Sequence, residues 1–341
     1  MLISVQALRA LAAWIVVFHH FMQVFFGFKA DNWIEYLFST RGQVGVDIFF
    51  VISGFVIYVS SRGKRLTMPQ FLLHRVVRIV PAYWLYTAIT ALVIYFASDV
   101  MPEYGLGLKQ LLLSLFFIPT ENPAGYGYYP ILPVGWTLNF EMLFYVVFAA
   151  SLVLKREWRL WAVVLAIVVI NTLFAHQPFI SNFYTDPIIF QFLLGLGIGA
   201  VYSRYGIPGG RWWPIALALA STATILCYND PAGATRFFAW GLPSALLVIA
   251  FIGLESRIGD NRIFKVMGDW SYSTYLLHVI VLWSGNYVLT EQFGLSPYLA
   301  LAICLPVIAI CSWLSYEFVE KAFSRQLKRH LPTLRPRTVT A

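Results

Sequence analysis

Charge is what this sequence has least of. Of its 341 residues, 12% are Asp, Glu, Lys or Arg and 59% are hydrophobic, whereas a soluble domain carries roughly a quarter charged residues. So few charges cannot cover a water-exposed surface, which excludes the two or three soluble domains that the length alone would suggest. Cysteine is scarce as well. Cys227, Cys304 and Cys311 all lie in apolar runs, where a thiol behaves as a small hydrophobe, and they offer no disulfide framework or metal-ligand spacing, so no metal is expected. There is no internal repeat, and no pair of Gly/Pro-broken helices in matching halves as inverted-repeat transporters have. The first apolar stretch lacks a small-residue cleavage site and carries Arg9, His19 and His20, so it reads as a retained helix and not as a signal peptide.

What remains is a succession of apolar segments with short polar gaps. A spanning helix needs about 20 mostly apolar residues, and segments near 6-26, 42-60, 80-98, 135-154, 159-175, 187-203, 212-228, 236-254, 271-290 and 297-319 qualify. The sequence thus predicts an all-α, polytopic membrane bundle of about ten helices, with a transmembrane domain over 1-323 and a basic tail over 324-341. An eleventh apolar piece near 108-119 is too short to cross. Bounded by Gly105, Gly107, Pro119, Asn122 and Pro123, it is expected to be re-entrant or interfacial on the outer side.

The formal charge of +8 would suit nucleic acid if its basic residues formed a stripe, but they cluster between apolar segments, which points to a membrane and to no nucleic-acid partner. With both ends in the cytosol, 20 of the 24 Lys and Arg fall inside, leaving Lys29, Arg41, Lys109 and Arg236 outside, as the positive-inside rule requires. If 108-119 crossed, every later loop would change sides and the bias would vanish. The stretch from about 321 onward carries Lys321, Arg325, Lys328, Arg329, Arg335 and Arg337, suited to anionic lipid headgroups.

Ionisable groups at membrane depth are costly and face the bundle interior as functional or paired groups. Arg9 and His20 are eleven residues apart, which at 100° per residue brings them to within about 20° of one face and about 16 Å apart along the axis. His19 lies about 80° away from Arg9 by the same geometry. Asp47, in Gly45-Val46-Asp47-Ile48-Phe49-Phe50-Val51-Ile52-Ser53-Gly54-Phe55, and Glu141, in the fourth segment, sit at a depth similar to that of His20. Imidazole suits proton transfer near neutral pH and a carboxylate fixes its tautomer, so these three read as a base with its orienting partners, or else as a buried polar network. On the cytosolic side, Arg75 and Arg78 are spaced to share a helix face, and guanidinium forks suit phosphate oxygens such as those of a coenzyme A thioester. Positive-inside retention explains the same pair without a ligand. The outer stretch from Glu121 to Pro130 holds Tyr126, Tyr128 and Tyr129 ahead of Trp136, an interfacial belt or a sugar-stacking platform.

Taken in order, these residues resemble the type-3 acyltransferase family. The resemblance rests on Arg9 and His20 in the first span, Phe49 to Phe55 in the second, Arg75-Val76-Val77-Arg78 with Pro81 and Tyr83, and Trp136-Thr137-Leu138-Asn139-Phe140-Glu141. The later Ser271 to His278 and Tyr316-Glu317-Phe318-Val319-Glu320 also match. It runs from about residue 4 to 323, departing where Thr137 stands at a position often held by serine. It implies a bacterial inner-membrane enzyme that takes acetyl, less often succinyl, from cytosolic acyl-CoA and places it on a hydroxyl of an extracytoplasmic polysaccharide or lipid-linked glycan. The nearest likeness is to exopolysaccharide O-acetyltransferases without a fused esterase-like domain. Carried over, Arg9, Arg75, Arg78 and Tyr83 bind acyl-CoA and His20 is the base with Asp47 or Glu141 behind it. Ser53, Trp136, Asn139, Tyr275 and His278 are candidates for acceptor binding or oxyanion contact. A proton-coupled transporter or flippase would account for His20, Asp47 and Glu141 but leaves the arginine pair without a role. A membrane O-acyltransferase of the unrelated type whose key histidine lies late in the chain would rely on His278.

Overall fold

The computed structural model describes residues 1–62, 66–125, 127–177, 181–229 and 231–330. Lys64, Arg65, Arg335 and Arg337 of the charge argument, and Tyr126 of the aromatic stretch, lie outside them. Every regular element among the described residues is helical: α1 Ile3–Phe26, α2 Trp33–Arg41, α3 Val44–Ser61, α4 Met68–Phe96, α5 Leu108–Leu115, α6 Trp136–Ser151, α7 Arg156–Thr172, α8 Phe190–Tyr205, α9 Trp212–Cys227, α10 Gly233–Arg236, α11 Leu242–Gly253, α12 Glu255–Ile258, α13 Arg262–Gly285, α14 Pro297–Ser315 and α15 Lys321–His330, with short 3-10 and π turns between some of them. In hydrocarbon every backbone N–H and C=O must be satisfied within the chain, and a helix does this segment by segment.

Seven helical stretches among the described residues are long and apolar enough to cross a bilayer: Ile3–Phe26, Val44–Ser61, Met68–Phe96, Pro133–Ser151, Pro187–Tyr205, Gly233–Gly253 and Pro297–Gln326. The protein is therefore a polytopic helical membrane protein. The other three expected segments are also helical but fall outside that measure. α7 and α9 have 17 and 16 residues. α13, with 24 residues, carries Asp269 and a run of hydroxyl residues. Large apolar side chains such as Tyr95, Phe96, Trp161, Leu165, Leu219 and Phe238 stand more than half exposed, a surface suited to lipid and not to water.

Local chemistry sets the ends of these helices. The first N–H groups of α1 are capped from across the bundle by Glu255, whose carboxylate accepts from the amides of Ile3 at 3.0 Å and Ser4 at 2.8 Å. The α1 helix stops at Gly27, whose φ of 55° places it in the left-handed region that glycine enters without strain. Thr67 and Gln70 form a capping box at the start of α4. The expected interfacial piece near 108-119 is α5, eight residues long and too short to cross. It is held by α4: Tyr83 donates to the Ser114 carbonyl at 3.1 Å and Trp84 to that of Leu115 at 2.9 Å. A π turn over Tyr316–Glu320 carries the last span into α15 without a break.

The most extensive helix pairings are α3 with α8 and α1 with α13. A Cβ added at Gly195 would meet the Val51 carbonyl oxygen at 1.9 Å, and one at Gly54 the Phe192 oxygen at 2.1 Å. Small residues bring backbones together this closely because lipid supplies no hydrophobic drive between helices. α1 is inserted in the same way, with Gly45 of α3 and Gly268 of α13 lying against Ala12 and Gln6. The helix bearing Arg9 and His20 is thus fixed on two sides.

Candidate active site

A narrow central cavity lies between the helices, and five of them line it. α1 contributes Arg9; α3 contributes Phe49, Phe50 and Ser53; α4 contributes Arg75 and Arg78; α6 contributes Thr137, Glu141 and Tyr145; and α13 contributes Tyr272 and Tyr275. The three arginines predicted from sequence therefore converge on one space. Arg9 and Arg78 also line a wider mouth together with Gln6, Asp269, Glu320, Lys321 and Arg325.

Two of these guanidinium groups, those of Arg9 and Arg75, are held but not neutralised, while Arg78 stands exposed. Arg9 is 8% exposed and donates to Gln6 at 3.0 Å. Arg75 donates to Ser60 at 2.9 Å and lies over the rings of Phe71 and Tyr145, its carbon 5.1 and 5.6 Å from their centroids, while its Nε has no hydrogen-bond partner. Arg236–Asp47 and Lys321–Glu317 form ion pairs, whereas among the described residues Arg9, Arg75 and Arg78 have no carboxylate within 4.0 Å. A buried cation without a counter-ion is costly, and a planar fork with a vacant donor is suited to an oxyanion.

His20 opens on the other end of the bundle, in a pocket shared with His19, Gln23, Phe28, Gln43, Glu103, Tyr104, Tyr129 and Trp136. Burial raises the Glu103 carboxyl above its ordinary value. The pocket combines aromatic faces with amide and carboxylate groups, chemistry suited to stacking on and hydrogen-bonding to a polyhydroxylated ligand. Between this pocket and the central cavity stands a hydrogen-bonded partition. The Tyr275 hydroxyl is 3.0 Å from Thr137 Oγ1 and donates to the Val134 carbonyl at 3.1 Å, and Thr137 bonds the same carbonyl at 3.1 Å.

The carboxylates expected to stand behind His20 are engaged elsewhere. Asp47, fully buried, accepts from Arg236 at 2.8 and 3.2 Å and from Gln191. Glu141 accepts from Ser53 at 3.0 Å and from Tyr145, within the central cavity. The ring that meets His20 is that of His278: Nε2 of His278 is 3.1 Å from Nδ1 of His20, with ring centroids 4.9 Å apart. His19 turns toward α2, its Nδ1 2.8 Å from the Phe38 carbonyl. Tyr83 lines none of these spaces; it is fully buried, stacked on Phe117 and bonded to α5. Asn139 is 1% exposed with no side-chain partner. Trp136 faces the outer pocket, whereas Ser53 and Tyr275 face the central cavity.

The sequence reading missed the Arg236 tie to Asp47, the Thr137–Tyr275 partition, and Tyr145 and Tyr272 as cavity walls. Arg236 had a usable signal: an outer cation at the depth of a buried Asp implies a pair. Two histidines 258 residues apart leave no pattern in sequence.

A family model described as an acyltransferase domain matches residues 2–317. The exopolysaccharide production protein ExoZ of Rhizobium meliloti is 38% identical over 258 residues, covering 71% of this chain and 77% of its own. The acyltransferase MdmB of Streptomyces mycarofaciens is 25% identical, covering 96% of this chain and 93% of its own. The peptidoglycan O-acetyltransferase OatA of Listeria monocytogenes is 25% identical over 82% of this chain, which spans 49% of that protein's length. No solved structure matches this chain. With a family model matched across nearly its whole length and three arginines and a histidine aligned along one bundle, the chain belongs to the acyltransferase-3 family and is a membrane-embedded acyltransferase.

Proposed function

We propose that this protein is a ten-span enzyme of the bacterial inner membrane, with both ends in the cytosol, that moves an acetyl group from cytosolic acetyl-CoA to a hydroxyl of an extracytoplasmic polysaccharide. The observation that carries this reading is the set of three guanidinium groups, without carboxylate partners, on a cavity that runs from the mouth toward the pocket of His20. Arg9, Arg75 and Arg78 hold the phosphates of the donor, and its long arm reaches along the cavity past Ser53 and Glu141. The thioester meets the acceptor at the Tyr275–Thr137 partition. ExoZ, named for exopolysaccharide production, and OatA, named for peptidoglycan O-acetylation, support a carbohydrate acceptor in the outer pocket.

The chemistry follows from the two rings of atoms brought together there. The acceptor O–H proton passes to His20 as the oxygen attacks the thioester carbon. The carbon–sulfur bond breaks, and the departing thiolate takes that proton from the His20 imidazolium, returning neutral imidazole and free coenzyme A. Asp47 enters only as a structural pair with Arg236, and Glu141 as a hydrogen-bond acceptor within the donor channel.

The test uses inverted membrane vesicles that enclose cell-surface polysaccharide and receive isotope-labelled acetyl-CoA from outside. Label is expected in the enclosed polysaccharide with the wild-type protein. Arg75→Lys keeps the charge but loses the fork stacked on Phe71 and Tyr145, so it should raise the KM for acetyl-CoA about tenfold, as a bidentate contact becomes a point charge. An Arg75→Ala protein with unaltered acetyl-CoA affinity would remove the donor site from this cavity.

A further inference from the structure

His278 has no part in the donor or acceptor contacts proposed above, yet its ring nitrogen lies within hydrogen-bond distance of the proposed base. Its Nδ1 lies 3.1 Å from the carbonyl oxygen of Thr274, four residues back on its own helix. A carbonyl only accepts, so Nδ1 of His278 carries the hydrogen, and a neutral imidazole then has a bare Nε2. That bare nitrogen faces Nδ1 of His20 at 3.1 Å. Nδ1 of His20 is in turn 3.0 Å from the carbonyl of Val16, again four residues back, and must carry a hydrogen by the same rule. Two separate carbonyls thus impose one direction on the pair: His20 Nδ1–H donates to His278 Nε2. The nitrogen of His20 left to accept a proton is Nε2.

We infer that His278 is the positioning residue for His20, fixing its tautomer and meeting the charge that His20 gains when it takes the acceptor's proton. The inference rests on His20 being the base. Among the described residues no carboxylate lies within 4.0 Å of either ring, and His278 is fully buried. The Nδ1–H of an imidazolium at His20 would therefore strengthen into a charge-assisted bond to the lone pair of His278. A permanently ionised carboxylate in the same place would carry a high desolvation cost at membrane depth, which a neutral imidazole avoids.

The full-length protein in nanodiscs tests this with His278→Leu and His278→Gln. Leu removes the acceptor at similar volume, whereas the Gln side-chain oxygen reaches the position of Nε2 and can accept from His20. His278→Leu is expected to lower kcat at least about a hundredfold, with the KM for acetyl-CoA within about twofold, and His278→Gln to recover to within about tenfold of the wild type, the span typical of orienting a general base. A merely structural role would move thermal stability and donor KM together and would not distinguish Gln from Leu. The inference is overturned if folded His278→Leu keeps kcat near the wild-type value, or if folded His278→Gln is as slow as His278→Leu. A readout that needs no variant is the nitrogen-15 spectrum of histidine-labelled wild-type protein, in which His20 should show a protonated Nδ1 and a bare Nε2; the opposite tautomer also overturns it. His20→Ala is measured in parallel: if it stays active, the base assignment itself fails, whereas an inert His20→Ala beside a fully active His278→Leu removes only the role of His278.

Discussion

Asp47 and Arg236 form a buried charge pair that was missed at the residue scale of the sequence. One carboxylate oxygen receives both Gln191 and the Arg236 Nε, and the other receives the Arg236 Nη2 at 2.8 Å. Arg236 also bonds Gln43 at 3.2 Å and lies over the Trp240 ring, so the pair ties α3 to the segment leading into α11. Removing one partner of such a pair strands the other charge and costs about 3–5 kcal/mol, whereas removing both with apolar replacements is nearly neutral. Asp47→Ala should therefore depress thermal stability sharply, and Asp47→Ala with Arg236→Leu should regain most of it. Transferase activity should return with stability in the double variant, as measured by thermal unfolding and acetyl transfer on the same preparations. A double variant that is stable but inert would restore Asp47 to the catalytic set.

The helices obey a logic of close approach that can be tested with two glycines of α8. Gly195 is pressed against α3, where a Cβ would meet the Val51 oxygen at 1.9 Å and the Phe55 nitrogen at 2.8 Å, both backbone atoms that cannot rotate away. Gly197, two residues on, has nothing within 4 Å of the same position. Gly195→Ala should cost at least about 1–3 kcal/mol by overpacking, while Gly197→Ala should be neutral or stabilising by up to about 1 kcal/mol through helix propensity. Thermal midpoints of the two purified variants against wild type decide it, and equal midpoints would contradict the packing described. Most of the helices themselves were legible beforehand, because apolar length and breaker residues are local: the halt of α1 near residue 26 and the brevity of α5 follow from a few neighbouring residues, whereas α4 starts at Met68 and not near 80, because the capping box at Thr67 opens the helix within the basic stretch ahead of the apolar one. The convergence of Arg9, Arg75 and Arg78 was legible too, since helical spacing and charge bias both constrained it. The partners of the buried groups were not. Depth alone ranked Asp47 and Glu141 beside His20, but which side chains meet is set by helix rotation and crossing. Those depend on contacts such as Gly45 against Ala12 and Gly268 against Gln6, which no local pattern records.

At the scale of the whole molecule the route of the chain constrains its topology. Met1 and Arg325 line the same mouth, with His74 and Lys321 beside them. A chain that leaves one end of the bundle and returns to it crosses an even number of times. The seven stretches that meet the length and hydropathy measure make an odd number, and the ten-span arrangement proposed above adds α7, α9 and α13 to them. The His20 pocket, with Glu103 and Tyr129 on its wall, opens at the far end. In the proposed topology the mouth faces the cytosol, since translocating Lys and Arg is disfavoured and the sequence assigns 20 of its 24 basic residues to that side. Single cysteines can read this sidedness directly. The exposed Cys227 is first replaced by serine to remove background, and Glu103→Cys or Ser324→Cys is introduced. In intact spheroplasts a membrane-impermeant maleimide should label Glu103→Cys and leave Ser324→Cys unmodified until the membrane is opened. Labelling of both without permeabilisation would place the arginine-lined mouth and the His20 pocket on one side, and a donor from the cytosol could then not reach an acceptor outside through this bundle.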